Sequence, residues 1–178
     1  MINLNEFLDS LYTEIKDHTG IKQLVLGTED IPPNLMKYPR IRMAFTTRYN
    51  PQQRQEIIYH KNFVPSEDEN FEHDVEYHYL MYPEATLSIT AYGEDVDQYL
   101  WKAREWFLID KYGMQFLDNL TDNNCVIKSI GSTGDRHTFM ETEYEDRQGF
   151  DVILKFEDEI KVIEKTIEDV DVQYETSL

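Results

Sequence analysis

The sequence predicts an α+β fold, a mixed, mainly antiparallel sheet packed against two helices. Apolar residues repeat at helical spacing in two stretches of the chain, and they alternate with polar residues in several others. The alternating stretches follow one another in runs, separated by isolated helices. This order is typical of α+β proteins, because alternating α/β folds place a helix after almost every strand.

The two predicted helices differ in position and length. The first carries one apolar stripe, formed by Leu4, Leu8, Leu11 and Ile15. Asn3 is a suitable N-cap for it, and Gly20 is a suitable left-handed end. The second predicted helix runs from about Glu94 to Tyr112, and Gly113 marks its end.

Two runs of four strands are predicted around the second helix. They cover roughly residues 40–48, 56–63, 76–82 and 85–92, then 126–130, 138–144, 150–156 and 161–170. An acidic segment near residues 65–74 has no periodicity and is predicted as a loop. No linker, repeat or low-complexity tract divides the sequence, so residues 1–178 are predicted as a single domain.

Composition narrows the class of protein. The net charge is -18, and no run of Lys and Arg offsets it, so sequence-specific binding to nucleic acid is disfavoured. The single cysteine, Cys125, excludes an internal disulfide and a paired-cysteine zinc site, and it favours folding in a reducing cytoplasm. Without a signal peptide or a long apolar run, we expect a soluble protein with no membrane contact.

Two short motifs suggest chemistry, and a structural explanation is favoured for each. His73 and His78 flank acidic residues, but they lie at the edge of the acidic loop, where a solvated face is the more common arrangement. The stretch Gly131–Asp135 resembles a phosphate-binding turn but lacks the P-loop lysine and opens no helix, so a strand connection is favoured. We therefore predict no catalytic residue, no metal ligand and no cofactor.

Candidate interface residues come from two places. Trp101 and Trp106 are five residues apart and point to different sides of the second helix. Trp106 belongs to the apolar stripe, whereas Trp101 is either an exposed interface anchor or covered by another element, with equal weight for both. The acidic residues Glu67, Asp68 and Glu69 complete the predicted interface set.

The C-terminal half of the chain contains the stretch Arg147-Gln148-Gly149-Phe150-Asp151-Val152, followed by an alternating strand and by Ile160, Ile163, Ile167 and Glu168. This stretch resembles the C-terminal part of the bacteriophage neck or tail terminator family. Three earlier segments also resemble the family: Tyr38-Pro39 with the strand after it, Leu87–Tyr92 with the helix that contains Ala103, Trp106 and Phe107, and Asp135-Arg136. The resemblance covers roughly residues 38–170, and Gln148 and the acidic segment 65–74 depart from it.

The resemblance implies a non-enzymatic virion protein with a tail-terminator-like fold. Such a protein forms a ring, usually of six subunits, that caps the head-proximal end of the tail tube and joins it to the neck. The implied partners are further copies of the chain, the tail tube protein and the neck or connector protein. DNA only passes through the channel, and assembly takes place in the host cytoplasm.

Four motif residues are predicted to shape the subunit rather than to touch a substrate: Arg147, Gly149, Phe150 and Asp151. Gly149 permits a bend or bulge where a strand starts, Phe150 fills the core, and Arg147 pairs with a carboxylate. Two alternatives stay open. One is a head-completion adaptor or a tail-tube-like protein of the same particle. The other is a small enzyme or ligand-binding module, which requires a pocket with convergent polar groups.

Overall fold

The structure, a computed structural model, describes residues 3–27, 35–50, 57–69, 71–121, 124–136, 138–140, 143–145 and 147–165. The chain divides into two compact units, of which the first holds residues 1–51 and 82–157 and the second holds residues 52–81 and 158–178. The single-domain prediction stays a prediction.

In chain order the elements are α1 Leu4–Thr19, β1 Gln23–Leu26, β2 Arg40–Asn50, β3 Ile58–Pro65, β4 His73–Met81, β5 Glu84–Tyr92, α2 Asp97–Leu108, α3 Gly113–Thr121, β6 Cys125–Ile130, β7 Gly134–Asp135, β8 Thr138–Met140, β9 Glu143–Glu145, β10 Arg147–Phe156 and β11 Asp158–Glu164.

The first unit is built on a mixed sheet with the order β1-β2-β5-β10-β6, and β7 also pairs with β10. Only the β1–β2 pair of this sheet is parallel among the described strands. Helix α1 lies against β1 and β2, and α2 lies against β5, β6 and β10. The core between sheet and helices includes Ile41, Leu87, Phe107 and Phe150, all almost fully buried. The predicted α+β class with a mainly antiparallel sheet is confirmed.

Helix α1 forms where local sequence signals predict it. The Asn3 side chain accepts a hydrogen bond from the backbone N–H of Asn5 at 3.1 Å, which satisfies one of the free amides of the first turn. Gly20 ends the helix at a φ of 68°, a left-handed conformation that glycine adopts without steric cost. The apolar stripe is buried against the sheet.

The second predicted helix is wrong in its bounds, because two helices, α2 and α3, occupy this region. Gly93 and Asp95 both have positive φ, so the chain becomes helical only from Asp97. Ile109 is extended and ends α2. A Cβ on Gly113 would lie 2.7 Å from the carbonyl oxygen of Trp106, so the glycine lets α3 start directly against α2. The first unit therefore has three helices among its described residues, not two.

The structure also differs from the prediction in several strands. The four-residue β1 was missed because three of its residues are buried and do not alternate. The single strand predicted at 138–144 consists of two short antiparallel strands, β8 and β9, and the two-residue β7 was also missed. The last predicted strand is β11 up to Glu164, and its remainder, residues 166–170, lies outside the described residues.

The second unit contains an antiparallel sheet with the order β11-β4-β3. Residues paired across neighbouring strands share a face. One face, which we call the aromatic face, is formed by Tyr59, Phe63, Val75, Tyr77, Tyr79, Ile160 and Val162. The opposite face is mainly polar and includes Asn62, Asp74, Glu76, His78 and Glu159. The predicted acidic loop connects β3 to β4, and Asp74 belongs to β4 rather than to the loop.

Candidate functional site

The best-organised polar group of the first unit is centred on Arg136, which follows β7. Its Nη1 donates to the Ser88 hydroxyl at 2.6 Å and to the Thr90 hydroxyl at 2.9 Å, both on β5. Its Nη2 donates to the Asp151 carboxylate on β10 at 2.7 Å. The guanidinium therefore ties two neighbouring strands together by charge-assisted hydrogen bonds.

Gly149 makes this arrangement possible. A Cβ at this position would lie 2.6 Å from the carbonyl oxygen of Ile89 and 2.9 Å from the Cζ atom of Arg136. The glycine thus leaves room for the guanidinium and for the close approach of β5. Pairing of β10 with β5 runs unbroken through Gly149, and the irregularity of β10 lies between Ile153 and Leu154, where it pairs with β6. Gly149 contributes space, and its pairing with β5 shows no bulge at this position, whereas the predicted bend stays a prediction.

The neighbours of Gly149 have separate roles in the first unit. Phe150 points to the other side of β10, is fully buried and makes an edge-on contact with Phe107 at a centroid distance of 6.3 Å. The guanidinium of Arg147 lies over the Tyr92 ring at 5.1 Å, and that of Arg40 lies over the same ring at 4.3 Å. The Arg147 side chain thus makes a cation–π contact with Tyr92, and its pairing with a carboxylate stays a prediction.

The predicted interface residues lie in different units. Trp101 is on α2 of the first unit and is 63% exposed. Glu67, Asp68 and Glu69 lie in the β3–β4 loop of the second unit, where Glu67 and Glu69 are exposed and Asp68 is half-buried. The Oδ2 atom of Asp68 lies 3.8 Å from Nζ of Lys165. The exposure of these residues is compatible with an interface, which stays a prediction.

The histidines of β4 do not form a joint site. His73 and His78 are an odd number of residues apart on one strand and so face opposite sides of the sheet. His78 contacts Glu76 and Glu159, each at 2.6 Å, and these hydrogen bonds raise the pKa of His78 above its usual value, Glu76 having the larger effect. Within the described residues, no three His, Cys, Asp or Glu side chains are grouped to hold a metal ion.

Two further sequence features are also structural. Residues 131–133 connect β6 to β7, and the Gly131 N–H donates to the carbonyl of Asp151 at 2.8 Å. Cys125 is fully buried, and burial followed by the nearby Asp118 charge raises the pKa of its thiol to about 12. The thiolate is therefore scarce at neutral pH, and the thiol is a poor nucleophile.

Sequence reasoning missed the hydroxyl partners of Arg136. Ser88 and Thr90 alternate with buried apolar residues on β5 and lie opposite Asp151 and Gly149 in register. A pair of hydroxyls two residues apart, facing a Gly-x-Asp stretch on the paired strand, is the signal for such a group. It is visible only when the pairing of the two strands is known.

The fold and the Arg136 group together define an α+β sheet protein in which organised polar residues hold neighbouring strands together. A family model described as phage neck terminator protein matches residues 9–177, and the chain belongs to this family. Its members are structural components of the phage particle, as the resemblance implied. A search among curated proteins finds no match for the chain. Among the described residues, no helix has the length and apolarity needed to cross a bilayer.

Proposed function

We propose that this chain closes the head-proximal end of the phage tail tube as an oligomeric ring and joins the tube to the neck or connector protein. The observation that carries the proposal is the family match, which spans residues 9–177 of the 178-residue chain. The ring, six subunits in number, assembles in the host cytoplasm and becomes part of the virion. Its role is structural and involves no catalysis.

The charge of the chain supports a channel through which DNA slides. The net charge of -18 per subunit creates a field that repels phosphates. A channel wall with this sign lets DNA pass without holding it, whereas a basic wall would bind the backbone and slow its passage.

Exposed apolar surface supports contacts between subunits. A ring is built from heterologous contacts, so each subunit must present two different surfaces. Trp101 on the first unit and the aromatic face of the second unit are two such surfaces, because Trp101, Tyr59 and Phe63 are all more than half exposed. Large exposed aromatic residues are the usual anchors of protein interfaces.

The decisive experiment mixes the purified protein with the tail tube protein of the same phage. Native mass spectrometry and electron microscopy are expected to show closed rings, and tubes that carry one ring at one end and stop growing. Long polymers of this chain alone would instead identify a tail-tube-like protein. Binding to the connector without any effect on tube growth would identify a head-completion adaptor.

The non-enzymatic role has its own test. Incubation of the protein with double-stranded DNA and magnesium is expected to leave the DNA intact over hours. Turnover above that of a mock preparation from the same host strain would show that the chain is an enzyme and would refute the structural role proposed here.

A further inference from the structure

The second unit contains an acidic cleft beside the β3–β4 loop. Its volume is about 810 Å³. Five of the lining residues carry carboxylates and one carries an amine: Glu67, Asp68, Glu69, Asp74, Glu76 and Lys165. The cleft therefore has a strong excess of negative charge, and the amine of Lys165 lies near Asp68 rather than at the centre of the group.

One carboxylate oxygen of the cleft is buried and has no hydrogen-bonding partner within the part of the chain that the structure describes. Asp74 is only 5% exposed, and its Oδ1 atom has no hydrogen-bond partner among the described residues. A buried carboxylate oxygen without a donor is costly for folding, and such atoms are uncommon in folded proteins. Glu76 lies two residues further along β4, and its carboxylate, unlike Oδ1 of Asp74, already accepts a hydrogen bond from His78. Asp74 thus places a buried oxygen with unused accepting capacity in the lining of the cleft.

The lining of the cleft favours a side chain over a metal ion. No three acidic or histidine side chains among the described residues are grouped as metal ligands. A guanidinium presents five donors in a planar fork and is weakly hydrated, so it suits several carboxylates at once. Val64 and Ile163, which also line the cleft, suit the methylene stem of an arginine.

We propose that this cleft receives an arginine side chain from a segment of a basic partner protein. A basic partner is favoured because the cleft carries five carboxylates and one amine, so its local field attracts a cationic segment. The proposal concerns the second unit alone and does not depend on ring formation. If rings fail to form while peptide binding persists, only the function proposed above is refuted.

The test is a titration of the full-length protein with an octapeptide of alternating glycine and arginine. Binding is followed by isothermal calorimetry and by amide NMR shifts. The key variant is Asp74→Asn, which keeps the shape of the side chain and removes its charge. The control is Glu94→Gln, which removes one exposed charge in the first unit. We expect roughly a tenfold or larger loss of affinity for Asp74→Asn and less than about a twofold change for the control.

The stability of the same variant separates binding from folding. Because Oδ1 of Asp74 accepts from no donor among the residues that the structure describes, Asp74→Asn is expected to melt at or above the melting temperature of the natural protein. If this variant does not fold, the double variant Glu67→Gln with Glu69→Gln tests the proposal instead. An unchanged affinity of the double variant for the peptide overturns the proposal. Three other results also overturn the proposal. They are an unchanged affinity of Asp74→Asn for the peptide, an equal affinity of the natural protein for a glycine–lysine peptide, and binding of calcium or magnesium without binding of the peptide.

Discussion

Gly149 shows how one missing side chain supports a whole group of contacts. We expect Gly149→Ala to lower the free energy of unfolding by about 1–3 kcal/mol, because its Cβ would meet the fixed backbone oxygen of Ile89. Urea unfolding followed by circular dichroism measures this change. The matched control is Gly134→Ala on β7, which pairs with Gly149 and has no atom within 4 Å of the added Cβ. Equal stability of the two variants would contradict the close approach.

Cys125 provides a second prediction at this scale. With its thiol pKa raised to about 12 by burial, Cys125 is expected to resist a disulfide reagent such as DTNB at pH 8. In guanidinium the single cysteine of the chain should react fully within minutes. The control is Ser129→Cys, whose added thiol on the exposed side of β6 should react at once in the folded protein. Rapid reaction of native Cys125 would show that β6 opens readily.

Within the second unit, His78 ties β4 to β11. Its ring contacts Glu76 on β4 and Glu159 on β11, and these carboxylates raise its pKa in the folded state, while burial and Lys161 act in the opposite direction. A histidine with a raised folded-state pKa stabilises the fold fully below its unfolded value near 6.5. This contribution is lost as the pH rises through the raised value.

The expected result is a second-unit sheet that opens more easily as the pH rises from about 6 to about 8. Hydrogen exchange of β4 and β11 amides, corrected for the intrinsic pH effect on exchange, measures the opening. His78→Gln should remove most of this dependence. The control is His60→Gln, which changes the residue paired with His78 on β3 and should leave the dependence in place. A pH-independent opening in the natural protein would contradict the role of His78.

The whole chain carries enough negative charge to affect its own assembly. Association of subunits with a net charge of -18 each is expected to strengthen when salt rises from about 20 to about 300 mM, because screening weakens their repulsion. Analytical ultracentrifugation measures the fraction of rings. Trp101→Ala should lower that fraction at every salt concentration, whereas Lys102→Ala, its exposed neighbour on α2, should change it little. Rings that dissociate with added salt would indicate contacts dominated by ion pairs.

Much of the first unit follows from local patterns in the sequence. Helix α1 could be predicted to within a residue, because its apolar stripe and both of its ends depend on residues close together in the chain. Strand β5 was likewise predicted from its alternation. The bounds of α2 were not predicted correctly, because its early end depends on the extended Ile109 and on α3 packing against it.

The sequence by itself determined the α+β class, the acidic character and the resemblance to the terminator family, because periodicity, charge and short motifs are readable along the chain. Only the tertiary structure decided which residues meet. Arg136 joins Ser88, 48 residues earlier in the chain, and Asp74 is only 5% exposed in the folded chain although it lies in an acidic stretch of the sequence. Both outcomes depend on contacts between distant segments, and the free energy of such contacts is set by burial and pairing geometry rather than by local pattern.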